Sequence, residues 1–307
     1  MIQRLYENAC YAKVSGKKYW SLLYKFNKLI CVTFFPLLAK SQKRKGVDEN
    51  GEIIVSLTTF TDRIDKVWIT IASLMNQTKK PKKILLWLAK SQFPNGESDL
   101  PKKILRLKER GLEIRFCDED MRSHKKYYYT MKEYPKEYVV TVDDDMLYPE
   151  NCLEQLWETH LRYPDCVCCQ YAHLITLNTD KSIKSYNEWI SSYEYGDTPQ
   201  MRLLPVGCGG VLYPPKALHS NVLNMDEIKE LCPNMDDLWL KCMAILNQTK
   251  AVTCNSGSQI YFDIPGTRKS GLYHTNVGTD NRLTNDYAMQ AIMRRYPEVL
   301  RELQKDD

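Results

Sequence analysis

Residues 138–149 read YVVTVDDDMLYP. Tyr138 to Val142 suit a buried strand, because β-branched and aromatic side chains favour that conformation. The strand runs straight into Asp143, Asp144 and Asp145, three adjacent carboxylates with no basic residue beside them in sequence. Side chains alternate along an extended segment, so Asp143 and Asp145 face one side and Asp144 the other. Two carboxylates converging on one point suit a hard divalent cation, Mg²⁺ or Mn²⁺, which cancels their repulsion. Such an ion can bridge the phosphates of a nucleotide and take up charge as a diphosphate departs. The blander reading is a solvated acidic loop. A position directly after a buried strand favours the metal site.

Upstream of this point the chain alternates strand and helix. EIIVSL (52–57) reads as a short buried strand. DKVWITIASLMNQ (65–77) carries Val67, Ile71, Leu74 and Met75 at helical spacing. KILLWLA (83–89) is a second strand. Residues 98–110 suit a helix capped by Ser98 and ended by Gly111, and LEIRFC (112–117) is a third strand. A helical stretch around 124–133 leads to YVVTV, the fourth. PENCLEQLWETHLRY (149–163) predicts a further helix with proline in its first turn. Alternation at this spacing predicts an α/β fold with right-handed crossovers and a mostly parallel sheet flanked by helices. Ligands bind such sheets beyond the carboxyl ends of the strands. The loops at 58–64, 117–126 and 143–149 therefore share one edge. Neither GxGxxG nor GxxxxGK[ST] is present, which disfavours a dinucleotide dehydrogenase and a P-loop ATPase.

The chain has 307 residues and a formal net charge of +5. Residues 1–46 hold ten Lys/Arg and one acid, Glu7, so the remainder carries a net −4. A mildly acidic body argues against nucleic-acid binding, which needs a basic face. The eleven cysteines are scattered and no secretory signal peptide is visible, which points to reduced thiols in the cytoplasm. Cys166, Cys168 and Cys169 lack the spacing of a zinc knuckle and read as small buried apolar residues.

WSLLYKFNKLICVTFFPLLAK (20–40) mixes aromatic and aliphatic residues with Lys25 and Lys28 between basic flanks. Its uninterrupted apolar run, Leu29 to Ala39, is too short to span a bilayer and is interrupted by Pro36. Two readings stay open: an interfacial helix on the inner face of the plasma membrane, using residues 20–45, or a helix packed on the body. The expected division is a basic leader over 1–46 and one catalytic domain over 47–307.

The blocks IIVSLTTFTDRI, TIASLMNQTKKPKKILLWLAKSQFP, VVTVDDDMLYP, VGCGGVLYPP (206–215), NMDDLWLKCMAILN (234–247) and TNDYAMQAIMRRYP (284–297) resemble bacterial glycosyltransferases of the GT-A fold. They are most similar to those of capsular and lipopolysaccharide biosynthesis. The resemblance covers about residues 52–303 and implies a metal-dependent enzyme. That enzyme would move a sugar from a nucleotide-diphosphate donor to a glycan or lipid-linked acceptor. It implies that Asp145 holds the metal and that Asp143 contacts ribose and metal, with Asp144 beside the donor. Thr58, Thr59 and Arg63 fall where such enzymes seat the nucleotide. Asp118 is placed to pair with a base edge, and Lys125 or Lys126 to meet the diphosphate. The plainer reading of both lysines is an exposed helix face. Asp237, or next Asp236, supplies the general base of an inverting transfer, although acids also favour a helix's first turn. Gly209 and Gly210, in the loop with Gly207, flank the sugar or acceptor. His274 reads as an ordinary loop residue rather than a metal ligand. Thr61 stands where the family often has proline.

Two other functions fit parts of the chain. DDDML superficially matches the DxDx[TV] signature of phosphohydrolases with an aspartate nucleophile. Residue 147 is leucine, however, and the motif follows the fourth strand rather than the first. A catalytically silent carbohydrate-binding protein would keep the fold without the chemistry.

Overall fold

The computed structural model describes residues 2–191, 198–254, 262–267 and 284–305. Two helices lead, α1 Ile2–Val14 and α2 Trp20–Ser41. The body opens with β1 Ile53–Thr58, α3 Val67–Leu74, β2 Lys83–Ala89, α4 Lys102–Leu105, β3 Leu112–Cys117, α5 Lys125–Glu133 and β4 Tyr138–Thr141. It continues with β5 Met146–Leu147, α6 Cys152–Arg162, β6 Val167–Cys169, β7 Ala172–Leu174, β8 Ile190–Ser191, β9 Leu203–Pro205 and β10 Val211–Tyr213. Then come α7 Met225–Leu231, α8 Asp236–Leu246, β11 Ala251–Thr253, β12 Phe262–Asp263, α9 Asn285–Arg295 and α10 Glu298–Lys305.

Seven strands form one sheet in the order β11-β6-β10-β4-β1-β2-β3. β1 lies parallel to β2 and β4, β2 to β3, and β6 to β11. Only β10 in this sheet is reversed, antiparallel to both β4 and β6. The result is a Rossmann-like sheet, mostly parallel and flanked by helices. Strands covered on both faces read as continuous apolar runs, and Ile53, Ile54, Val55 and Leu57 of β1 are all fully buried. Alternation along β6 sends Cys168 into the core on one face and Cys169 into the core on the other.

β10 also fixes the site. Val211, its first residue, pairs with Thr141, the last of β4. The loop entering β10 therefore stands beside the residues leaving β4, at the carboxyl edge of the parallel strands.

Two expectations need correction. The helix over 98–110 is broken: 3₁₀ turns at Gly96–Asp99 and Arg106–Arg110 flank the four-residue α4. Pro101 lacks an amide hydrogen and favours extended backbone before it, and Leu100 is extended (φ −94°, ψ 142°). Ser98 thus lies inside the first turn instead of capping a long helix. The helix expected from Pro149 begins at Cys152, and the Pro149 carbonyl accepts from Gln77 Nε2 at 2.7 Å. In the leader, Pro36 does not end the helix, and α2 continues to Ser41. Asn27, Cys31, Phe35 and Ala39 form its buried stripe, one residue per helical turn.

Ser56 ties β1 to α5. Its hydroxyl donates to the Lys126 carbonyl at 2.5 Å and lies 2.7 Å from Thr130 Oγ1, both buried. Ser56→Ala adds no bulk in this buried site and removes the donor. It should lower the unfolding free energy by about 1–3 kcal/mol, read from urea denaturation.

Candidate functional site

The three aspartates occupy the turn between β4 and β5, where the backbone is not extended: Asp144 and Asp145 share Arg63, and Asp143 turns to Lys126. Asp144 points inward and is buried. It accepts from Thr59 Oγ1 and, at 2.6 Å, from Arg63 Nη1, while its carbonyl accepts from Thr70 Oγ1 at 2.9 Å. Asp143 and Asp145 are the more open pair. Asp145 Oδ2 lies 3.1 Å from Arg63, and Asp143 Oδ1 lies 2.7 Å from Lys126 Nζ. The Asp143 amide donates to the Tyr148 hydroxyl at 3.0 Å.

Lys126 bridges two parts of the chain that are far apart in sequence. Besides Asp143, its ammonium lies 2.8 Å from Asp236 Oδ2 at the start of α8. A lysine in the first turn of a helix is poorly placed against the helix dipole. Here burial lowers its proton affinity, but Asp143, Asp236 and Asp237 more than restore it, so it stays charged. Burial works against the charge on Asp236 as well, yet Lys126 and His124 hold its carboxyl below the usual range. Asp237 is the opposite case: burial, then the neighbouring Asp236 charge, push its carboxyl up to about 8. Its Oδ2 accepts from the Gly207 amide at 3.0 Å. Around this cluster five aspartates share two basic side chains, Arg63 and Lys126.

Gly207 closes the gap between the two acidic groups. A β-carbon there would lie 2.9 Å from Lys126 Nζ, 3.0 Å from Asp143 Oδ1 and 3.1 Å from Asp237 Oδ1. This glycine faces the acids. Gly210 has a positive φ of 86°, and a β-carbon on it would meet Cys152, Leu156 and Val142 at ordinary contact distance. It therefore faces the core rather than the site. Gly209 is buried in the 3₁₀ turn, where its carbonyl lies 3.7 Å from Cys152 Sγ.

Other expected residues lie elsewhere. Thr58 Oγ1 is spent on the Trp87 carbonyl at 2.8 Å. Asp118 is exposed and paired with Lys90. The acid that organises that loop is Asp120, which receives Gln92, Lys125 and the Arg122 amide. Lys125 is thus turned away from the triad, and Lys126, its neighbour, is the lysine that reaches it. Neither is the exposed helix residue that the plainer reading expected. His274 lies outside the described residues.

The donor set fits a hard cation. Asp143 and Asp145 offer two carboxylates with side chains 33% and 19% exposed. Burial and Asp143 push the Asp145 carboxyl up to about 7, against the pull of Arg63. A divalent cation would relieve that strain. Mg²⁺-type ions bind through one or two carboxylates and take their remaining oxygens from substrate phosphates and water. Among the described residues no group of three or more His, Cys, Asp or Glu is arranged to hold a metal by protein ligands alone.

No protein-family model matches the chain, and no curated protein matches it. Solved structures do. S. aureus TarS 1-349 in complex with UDP is 13% identical, with a TM-score of 0.45 over 68% of this chain. The matched region spans 59% of that chain, about three fifths of its length. An apo UDP-glucose pyrophosphorylase is 8% identical, with a TM-score of 0.41 over 81% of this chain and 98% of its own. A UTP-bound UGPase from Acinetobacter baumannii is 8% identical, with a TM-score of 0.40 over 83% of this chain and 97% of its own.

Two outcomes follow from the charge balance. Asp145 titrates in the folded protein near 7 instead of 3.8, so folding holds a proton that the unfolded chain releases. This group's contribution to stability is present below 3.8 and is lost as pH rises to about 7. Without metal, Asp145→Asn should melt higher than the parent, with a gain that grows across that window and levels off above it in thermal scans. Lys126→Met should cost about 3–5 kcal/mol in chemical denaturation, because it leaves buried carboxylates unpaired. Adding Asp236→Asn should restore part of that loss.

Proposed function

We propose that the chain transfers a sugar from a nucleotide-diphosphate donor to a hydroxyl of a glycan or lipid-linked acceptor, with inversion at the anomeric carbon. Residues 47–307 would carry the reaction. The observation that carries this reading is the pair of acidic groups facing each other across Gly207. Asp143 and Asp145 form one side and Asp236 and Asp237 the other; Lys126 ties Asp143 to Asp236, and the Gly207 amide donates to Asp237. The order of the matched sequence blocks supports the same reading.

A Mn²⁺ or Mg²⁺ ion held by Asp143 and Asp145 would neutralise the donor's diphosphate. Arg63 and Thr59 fix Asp144, and through it the turn that presents the other two acids. On the far side, the Gly207 amide and the first turn of α8 orient the Asp237 carboxylate. Asp237 takes the proton of the acceptor hydroxyl as that oxygen bonds to the anomeric carbon. The bond from that carbon to the diphosphate oxygen breaks, and its electron pair leaves with the diphosphate. A general base works best when its pKa lies near the working pH, and burial beside Asp236 raises Asp237 toward that range. Lys126 keeps Asp236 ionised, so Asp237 is the carboxyl that titrates.

Nucleotide-sugars with Mn²⁺ should raise the melting temperature, and Asp145→Ala should abolish the shift. A shift that survives this substitution would sink the metal assignment. Strong turnover of a simple phosphomonoester with Mg²⁺ would favour a phosphohydrolase instead. With a donor that transfers, kcat/KM should rise with pH through about 8 as Asp237 loses its proton. Asp237→Asn should remove roughly 10²–10⁴ of the rate and flatten that profile.

A further inference from the structure

Helix α2 has two apolar faces, and only one is used by the fold. The inner stripe, Asn27, Cys31, Phe35 and Ala39, packs on the body, and Asn27 Nδ2 donates to the Leu5 carbonyl of α1 at 2.9 Å. Directly opposite, Leu22, Phe26, Leu29 and Leu37 stand in open solvent at 72%, 60%, 62% and 59% exposure. Phe34 and Leu38 widen this band along one flank, with Tyr19 and Trp20 at its start. A contiguous exposed apolar band of this kind marks an interaction surface.

The surroundings of the band say what covers it. Lys17 and Lys18 precede it, Lys25 lies within it, and Lys40, Lys43, Arg44 and Lys45 follow, all exposed. The one acid in residues 1–46 is Glu7. Apolar residues rimmed by cations match a surface that is negatively charged outside and hydrocarbon beneath. We infer that the outer face of α2 lies flat on an anionic lipid bilayer, with Leu22, Phe26, Leu29 and Leu37 entering the acyl boundary and the flanking lysines meeting headgroups.

By length and composition this 22-residue helix could also cross a membrane. Its inner stripe argues against crossing, since hydrocarbon cannot surround a helix that is packed on protein along its length. The inner side also carries Tyr24 and Lys28, which both bind Asp263 of β12. β12 pairs with β5 directly after the aspartate triad, and the Ile264 amide donates to the Asp145 carbonyl at 2.7 Å. The lipid-facing helix and the acidic site thus share one short ribbon.

The test is co-sedimentation of the full chain with phosphatidylcholine vesicles, with and without phosphatidylglycerol. Binding should be at least roughly tenfold greater on the anionic vesicles and should weaken as salt rises. The combined Leu22→Ser, Phe26→Ser, Leu29→Ser and Leu37→Ser variant should lose it while keeping the parent's melting temperature. The Lys17→Glu, Lys18→Glu, Lys43→Glu and Lys45→Glu variant should lose it equally on the anionic vesicles. Equal binding to neutral vesicles, or none to either, overturns the inference. So does resistance to alkaline carbonate extraction, which would mean a spanning helix. A lipid-free dimer that the serine variant dissociates would overturn it too, since a second copy would then cover the band.

Discussion

The site depends on one buried ammonium. Lys126 sits in the first turn of a helix, where the dipole disfavours it, and is almost wholly removed from water. Both penalties are tolerable only because carboxylates from two distant segments surround it. Remove the lysine, and Asp143, Asp236 and Asp237 are left to repel one another in a region with little solvent. Remove the acids, and the lysine has no reason to be buried. The loop after β4 and the start of α8 are therefore held together by charge.

The backbone arrangement makes that bridge possible. A purely parallel sheet would carry the strand-entering loops to the opposite edge. The reversed β10 returns the glycine loop to the carboxyl edge of β4, next to the aspartates. Glycine at position 207 then matters for space, since any side chain would displace the lysine or an acid. The same edge receives Arg63, whose guanidinium is shared between Asp144 and Asp145. Five carboxyl groups gather around two cations, an acidic site whose charge a divalent ion would help to neutralise under the proposed function.

Much of this was legible in the chain because parallel strands leave a strong signature. Continuous apolar runs such as IIVSL and KILLWLA mark strands buried on both faces, and the residues between them repeat at helical spacing. Strand alternation did not carry through Asp143, Asp144 and Asp145, because the chain turns there and Arg63 draws Asp144 and Asp145 together. Where local signals competed, sequence reasoning was weaker. Pro101 outweighed the helical pattern over 98–110, whereas Pro36, free of that competition, did not break α2. Lys125 and Lys126 are adjacent and chemically alike, so only their directions from α5 separate the one held by Asp120 from the one held by Asp143. Position 207 was less conspicuous than 209 and 210, yet a β-carbon there would meet the acids, whereas one at 210 would meet the core.

The sequence by itself determined the α/β class, the edge on which the acidic loops gather, and the apolar, lysine-flanked character of residues 20–40. Each is set by spacing within a few residues. Tertiary structure decided which lysine joins the acids, that Asp118 stays at the rim, and which stripe of α2 faces the body. Those outcomes depend on partners in other elements, from Lys90 beside Asp118 to Asp236 beside Lys126 and Asp263 beside α2. Local spacing fixes how a side chain points from its own strand or helix, but only the packed sheet and helices bring its partner within reach.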